Sequence, residues 1–227
     1  MSVIIFHGNH TVESRDSLLN EISKRQSRGI EIFKLEAKQL SPSSLESELG
    51  SNTLFDSAKC VVIEELHSLP TSKKRDELVS LINSSPSDVL LWEKKKLTAT
   101  QLKKFPNSLN REHNISTTLF SWLDSLGSNA SPQKKLNLLH DAVKQDGAQF
   151  CFLMLARQTR LLLTSIDGGQ VAGAPFVQSK LKKQAHFFTQ GELLGLHKKL
   201  LQIDTEQKTS TATLKLEQEL DMLTLSM

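Results

Sequence analysis

The sequence predicts two fold classes in one chain, an α/β unit built on a parallel sheet over residues 1–119 and an all-α unit over 120–227. Three observations predict it. Short β-branched runs recur between helical segments through the first half and stop near residue 120. From there onward apolar residues fall only at helical spacing. The length, 227 residues, exceeds the roughly 100–150 of a common single domain, which favours two.

The strands are read in order as VIIF at 3–6, IEIFKLEA at 30–37, CVVI at 60–63, VLLW at 89–92 and NISTTL at 114–119. Near-continuous apolar runs of this kind suit strands covered on both faces, hence a parallel sheet. Leu18, Leu19 and Ile22, and later Leu78, Leu81 and Ile82, supply the apolar stripes of the covering helices. Beyond 120, Ser131 followed by Pro132 reads as an N-cap with proline in the first turn, opening a helix through Leu136, Leu139 and Val143. FCFLMLARQTRLLL at 150–163 is apolar around most of its circumference, which marks the central helix of a bundle. Thr189 and Glu192 form a capping box ahead of Leu193, Leu196, Leu200 and Ile203. Ala212, Leu216, Leu220 and Leu223 repeat the pattern in the last segment, and the Gly-rich GGQVAGAPF at 168–176, with no strand before it, reads as a connector.

Composition excludes several classes. Hydrophobic residues make 38% and charged ones 23%, and Gly and Pro together number 16, so the chain is neither disordered nor collagen-like. No apolar run approaches the roughly 18 residues that cross a bilayer, and MSVIIFHGNH has no basic leader, so a cytoplasmic protein without a membrane partner is expected. Cys60 and Cys151 sit in apolar runs without CxxC spacing and read as core residues. His7 and His10 have no cysteine beside them, so no metal is expected. Net charge is +3, with the excess in the second half: residues 131–200 hold 10 basic and 4 acidic side chains. A solvated helix face and a phosphate contact both account for such a cluster.

An α/β unit opening with strand, glycine and helix invites comparison with the P-loop, where backbone amides, a lysine and a hydroxyl hold phosphates and magnesium. Counting from Gly8, the second glycine position holds Glu13, the lysine position Ser14 and the hydroxyl position Arg15. A carboxylate there repels phosphate. Glu64 and Glu65 end the third strand where a magnesium-binding acid pair would stand. Without the lysine they read as strand-end carboxylates facing solvent or a cation. The sequence contains no GxSxG and no HExxH. Leu54 and Phe55 stand together in the polar stretch GSNTLFDSAK, either as a plug under the sheet edge or as a wedge for a partner's pocket.

Four segments carry a family resemblance: TLFDSAKCVVIEEL at 53–66, LARQTRLLL at 155–163, APFVQSKLKKQAHFFTQGEL at 174–193 and LLQIDTEQKTSTATLKLEQEL at 200–220. In their order and spacing the chain resembles the delta subunit of bacterial DNA polymerase III, the clamp-loader component that opens the ring-shaped sliding clamp. The resemblance implies an AAA+/RecA-like first domain with a degenerate nucleotide site and a helical collar domain that assembles with other loader subunits. It implies no cofactor and no intrinsic catalysis, with the chain acting as a component of the polymerase III holoenzyme in DNA replication. Leu54 and Phe55, flanked by Thr53 and Ser57, match the element that enters the clamp's pocket. Arg157, Gln158 and Arg160 match an RQxR helix signature of the collar and its subunit interface. Lys180, Lys182 and Lys183 are the candidates for primer-template DNA. The family usually places a three-helix lid between sheet and collar, and here the collar-like FSWLDSLG follows the fifth strand directly. A P-loop-derived nucleotide enzyme and a collar-type oligomeric adaptor are the alternatives.

Overall fold

A computed structural model describes residues 2–50, 58–171 and 174–227, which divide into two compact units at Asn114/Ile115.

The first unit comprises β1 (Val3–Gly8), α1 (Thr11–Gln26), β2 (Glu31–Glu36), α2 (Pro42–Gly50), β3 (Lys59–Glu64), α3 (Lys73–Asn83), β4 (Asp88–Trp92), α4 (Ala99–Leu102) and β5 (Ser108–His113). The strands form one parallel sheet in the order β2-β3-β4-β1-β5. Alternation along the three inner strands sorts their side chains to two faces. Ile4 and Phe6, Cys60 and Val62, and Leu90 and Trp92 pack with Leu18 and Ile22 of α1. Ile5, Val61, Ile63, Val89 and Leu91 pack on the other face with Leu45 and Leu49 of α2 and Leu78, Val79 and Ile82 of α3. Each such leucine contributes roughly 1.5–3 kcal/mol by leaving water. Leu19, expected on the apolar stripe of α1, is 45% exposed.

The fifth strand is not where the sequence reading put it. NISTTL at 114–119 contains no strand; β5 is the polar SLNREH just before it. As an edge strand, β5 pairs only with β1 and is nowhere buried among apolar layers on both faces, so it lacks an apolar run. Ser116 starts a helix instead, its Oγ accepting from the Leu119 backbone N–H at 3.0 Å. The boundary between units accordingly falls five residues before the expected 119/120.

The second unit is all helical: α5 (Thr117–Ser125), α6 (Pro132–Asp146), α7 (Ala148–Ile166), α8 (Pro175–Ala185), α9 (Gln190–Lys208) and α10 (Leu216–Ser226). Three residues separate the end of β5 from the start of α5. Ser131 caps α6 with Pro132 in its first turn, and Thr189 and Glu192 close the capping box of α9. Helix α7 packs against α5, α6, α8, α9 and α10, as its apolar circumference requires. Trp122, Leu119, Cys151, Leu155 and Leu220 are wholly buried at the centre, and the Trp122 indole donates to Thr224 Oγ1 at 3.1 Å. Ala212 lies outside α10, in the turn leading to it. Both cysteines are buried and unpaired, and burial pushes their thiols up, to about 11 for Cys60 and about 12 for Cys151. Among the described residues no helix is long and apolar enough to cross a membrane.

Candidate functional site

The position that would hold a nucleotide phosphate lies between the end of β1 and the start of α1, and here protein groups occupy its contacts. Gly8 has φ +135°, and a Cβ there would stand 1.8 Å from the His113 carbonyl oxygen, so the glycine serves the close approach of β5. The His10 backbone N–H donates to that same carbonyl at 3.0 Å. His10 then caps α1, its Nδ1 accepting from the Glu13 N–H at 3.2 Å. Ser14, at the lysine position, is wholly buried; it accepts from the Trp92 indole at 3.1 Å and donates to the Thr11 carbonyl.

Arg15, at the hydroxyl position, reaches across to Glu64 with both terminal nitrogens, at 2.5 and 2.9 Å. Its guanidinium carbon lies 3.8 Å from the Trp92 ring centroid. Glu64 and Trp92 are register partners at the ends of β3 and β4, so the arginine covers both. The side chains are 36% and 27% exposed, which limits the ion pair to about 1 kcal/mol, with a similar addition from stacking. Glu64 thus faces a cation supplied by the chain itself. Glu65 turns away in a left-handed conformation, φ 58°, its N–H bonded to the Trp92 carbonyl.

Beside this closed position a cleft of about 440 Å³ opens at the carboxyl ends of β3 and β4, lined among others by Glu65, His67, Lys94, Lys95 and Lys96. Glu93, 4% exposed, accepts from the His67 backbone N–H at 3.0 Å and bonds its Nδ1 at 2.9 Å. Lys96 is paired with Glu112, and that bond, helped by Asn114, holds the Glu112 carboxyl below the usual carboxylate range. Among the described residues no three His, Cys, Asp or Glu side chains gather as a metal site.

In the second unit the RQxR residues separate. Gln158 donates to Gln184 Oε1 at 2.6 Å, and Gln184 Nε2 donates in turn to the carbonyls of Leu123 and Leu126, joining α7 and α8 to the end of α5. Arg157 and Arg160 stand exposed on α7 with no ion pair among the described residues. Lys180 is paired with Asp124, whereas Lys182 and Lys183 are exposed and unpaired among the described residues. Thr53, Leu54, Phe55 and Ser57 lie outside the described residues. The sequence reading missed Arg15 as the partner of Glu64, Trp92 as its platform, and Gln184. Only the last had a signal, a glutamine on an otherwise apolar helix face.

No family model matches the chain, and no curated protein matches it. Among solved structures it is similar to the Bacillus subtilis DNA clamp loader delta protein (YqeN), with a TM-score of 0.48 and 13% identity, covering 100% of this chain and 95% of that one.

Proposed function

We propose that the chain is a delta-like clamp-loader subunit that binds the sliding clamp through Leu54 and Phe55, flanked by Thr53 and Ser57, and stabilises its open form. The observation that carries the reading is the Arg15–Glu64 pair, which occupies with protein charge the place where a nucleotide and its metal would exchange theirs. A parallel-sheet unit so arranged, ahead of a helical unit bearing the RQxR segment, suits a subunit that leaves ATP hydrolysis to its partners. Ring opening then needs no chemistry in this chain. A subunit opens a ring by as much as it binds the open state better than the closed one. Gln158 positions the helices of the second unit, Arg157 and Arg160 face other loader subunits, and Lys182 and Lys183, unpaired among the described residues, meet primer-template phosphates.

The test is surface-plasmon binding to the sliding clamp of the same organism, beside a Leu54→Ala/Phe55→Ala variant whose folding is checked by circular dichroism. Two buried apolar anchors contribute roughly 1.5–3 kcal/mol each, so losing about 3 kcal/mol weakens binding about a hundredfold. Saturable binding with that loss supports the reading. Wild-type binding that the variant retains moves the contact elsewhere, and no binding by the wild type removes clamp opening as a property of this chain.

A further inference from the structure

His7 sits at the carboxyl end of β1 on the same face as Ile5, wholly buried, at the base of the segment that follows β4. Its Nδ1 accepts a hydrogen bond from the Leu97 backbone N–H at 3.3 Å. That bond fixes the tautomer: Nδ1 carries no proton, so the proton is on Nε2, which has no hydrogen-bond partner among the described residues. Leu97 closes the segment Lys94–Lys96, whose three exposed lysines form one wall of the 440 Å³ cleft. At the other end of the segment Glu93 is anchored twice, by its N–H to the Phe6 carbonyl and by its carboxylate to His67. The basic segment is thus pinned at both ends, and at one end through an imidazole nitrogen that can accept only while unprotonated.

We propose that His7 is a proton-operated latch on the Lys94–Lys96 segment: while neutral it holds the Leu97 amide and keeps the cleft wall in place, and on protonation it turns from acceptor to donor and releases it. The charged groups that face His7 are Glu112 and His113 from β5 and Glu93 and Lys96 from the segment after β4. The two glutamates favour the imidazolium, while Lys96 and His113 oppose it. Burial opposes it most and sets the His7 pKa below the ordinary 6.5. The neutral, holding form therefore prevails at neutral pH, and release comes on acidification past the lowered value. The latch concerns the first unit alone and does not depend on the clamp reading.

The experiment is amide hydrogen exchange of Leu97 and the three lysines in the full chain, corrected for the intrinsic pH dependence of exchange, from about pH 7.5 to about pH 5. His7→Asn is the decisive variant, because its Oδ1 replaces the accepting Nδ1 and does not titrate; His67→Gln is the control for the neighbouring His67–Glu93 pair. In the wild type and in His67→Gln, protection at Leu97 falls about tenfold or more across the range, and in His7→Asn it stays flat. Protection that is flat in the wild type, or that falls in parallel in His7→Asn, overturns the proposal. Should His7→Asn fail to fold, the imidazole nitrogen shifts of the wild type decide: His7 Nδ1 must gain its proton in step with the loss of Leu97 protection. Loss of protection while His7 stays neutral overturns the latch.

Discussion

In the first unit Arg15, Arg25 and Arg111 each reach a carboxylate on another element, Glu64, Asp88 and Glu21 respectively, whereas in the second Arg157 and Arg160 stand exposed on α7 with no such partner among the described residues. The architecture accounts for the contrast. A parallel sheet brings strand ends and helix flanks together around its rim, so charges from distant parts of the chain meet there. A helical bundle buries one stripe of each helix and turns the rest outward. These three arginines therefore tie distant elements of the first unit together, whereas in the second unit Lys180 pairs with Asp124 but Arg157 and Arg160 turn their charge to the surface.

Arg25 carries the largest share of the first unit's ionic cohesion. Its side chain is 8% exposed and joins Glu21 on its own helix to Asp88 at the start of β4. Replacing it in Arg25→Met leaves Glu21 with Arg111 and Asp88 with the Ser2 N–H but takes the buried cation from both, and unfolding in urea should show a loss of about 3 kcal/mol. Burial acts to raise both carboxyl groups, but Arg25 and then Arg111 on Glu21, and the Ser2 N–H and then Arg25 on Asp88, outweigh it and hold them below their ordinary values of 4.5 and 3.8. A depressed folded pKa gives stability that is complete above the unfolded value and is lost as pH falls through the folded one. Wild-type stability should therefore decline below about pH 4.5, and the decline should be shallower in Arg25→Met because its carboxylates titrate nearer their unfolded values. Equal slopes would mean that the network carries no linkage.

A smaller effect is expected at Gln184, a buried polar side chain that joins three helices of the second unit. Gln184 is 5% exposed and serves two carbonyls at the end of α5 as well as Gln158. Gln184→Ala leaves these groups short of partners and should cost about 2 kcal/mol in the same assay. Gln158→Ala should cost less, since only Gln184 Oε1 loses a donor. A larger loss for Gln158 than for Gln184 would reverse the order of dependence.

Much of this fold was legible because apolar periodicity is local. The three inner strands, the caps at Ser131 and Thr189 and the central position of α7 follow from residues within one or two turns of each other. The edge strand β5 was not legible, since SLNREH is polar for want of a second covering layer and the apolar residues after it belong to α5. At the nucleotide position the sequence showed that lysine and second glycine are missing. It did not show what stands there instead, because Arg15 and Glu64 are 49 residues apart and meet only through the sheet register that sets Glu64 beside Trp92. The RQxR segment likewise reads as one motif, yet helical spacing turns Gln158 inward and Arg157 and Arg160 outward.

The outward-facing arginines of α7 should be the mildest to remove. If exposed charge in the second unit is free of structural duty, Arg157→Ala/Arg160→Ala should leave the urea midpoint within about 0.5 kcal/mol of wild type. The pair spends nothing on holding α7, which is fixed by Leu155, Thr159 and Leu162 on its buried side. On the proposed function, its loss should appear as weakened co-sedimentation with clamp-loader subunits at low salt and little difference at high salt, where exposed charges are screened. A fall in stability above about 1 kcal/mol would show that these arginines do structural work in the second unit, and the contrast between the two units would then lie in geometry and not in the use made of charge.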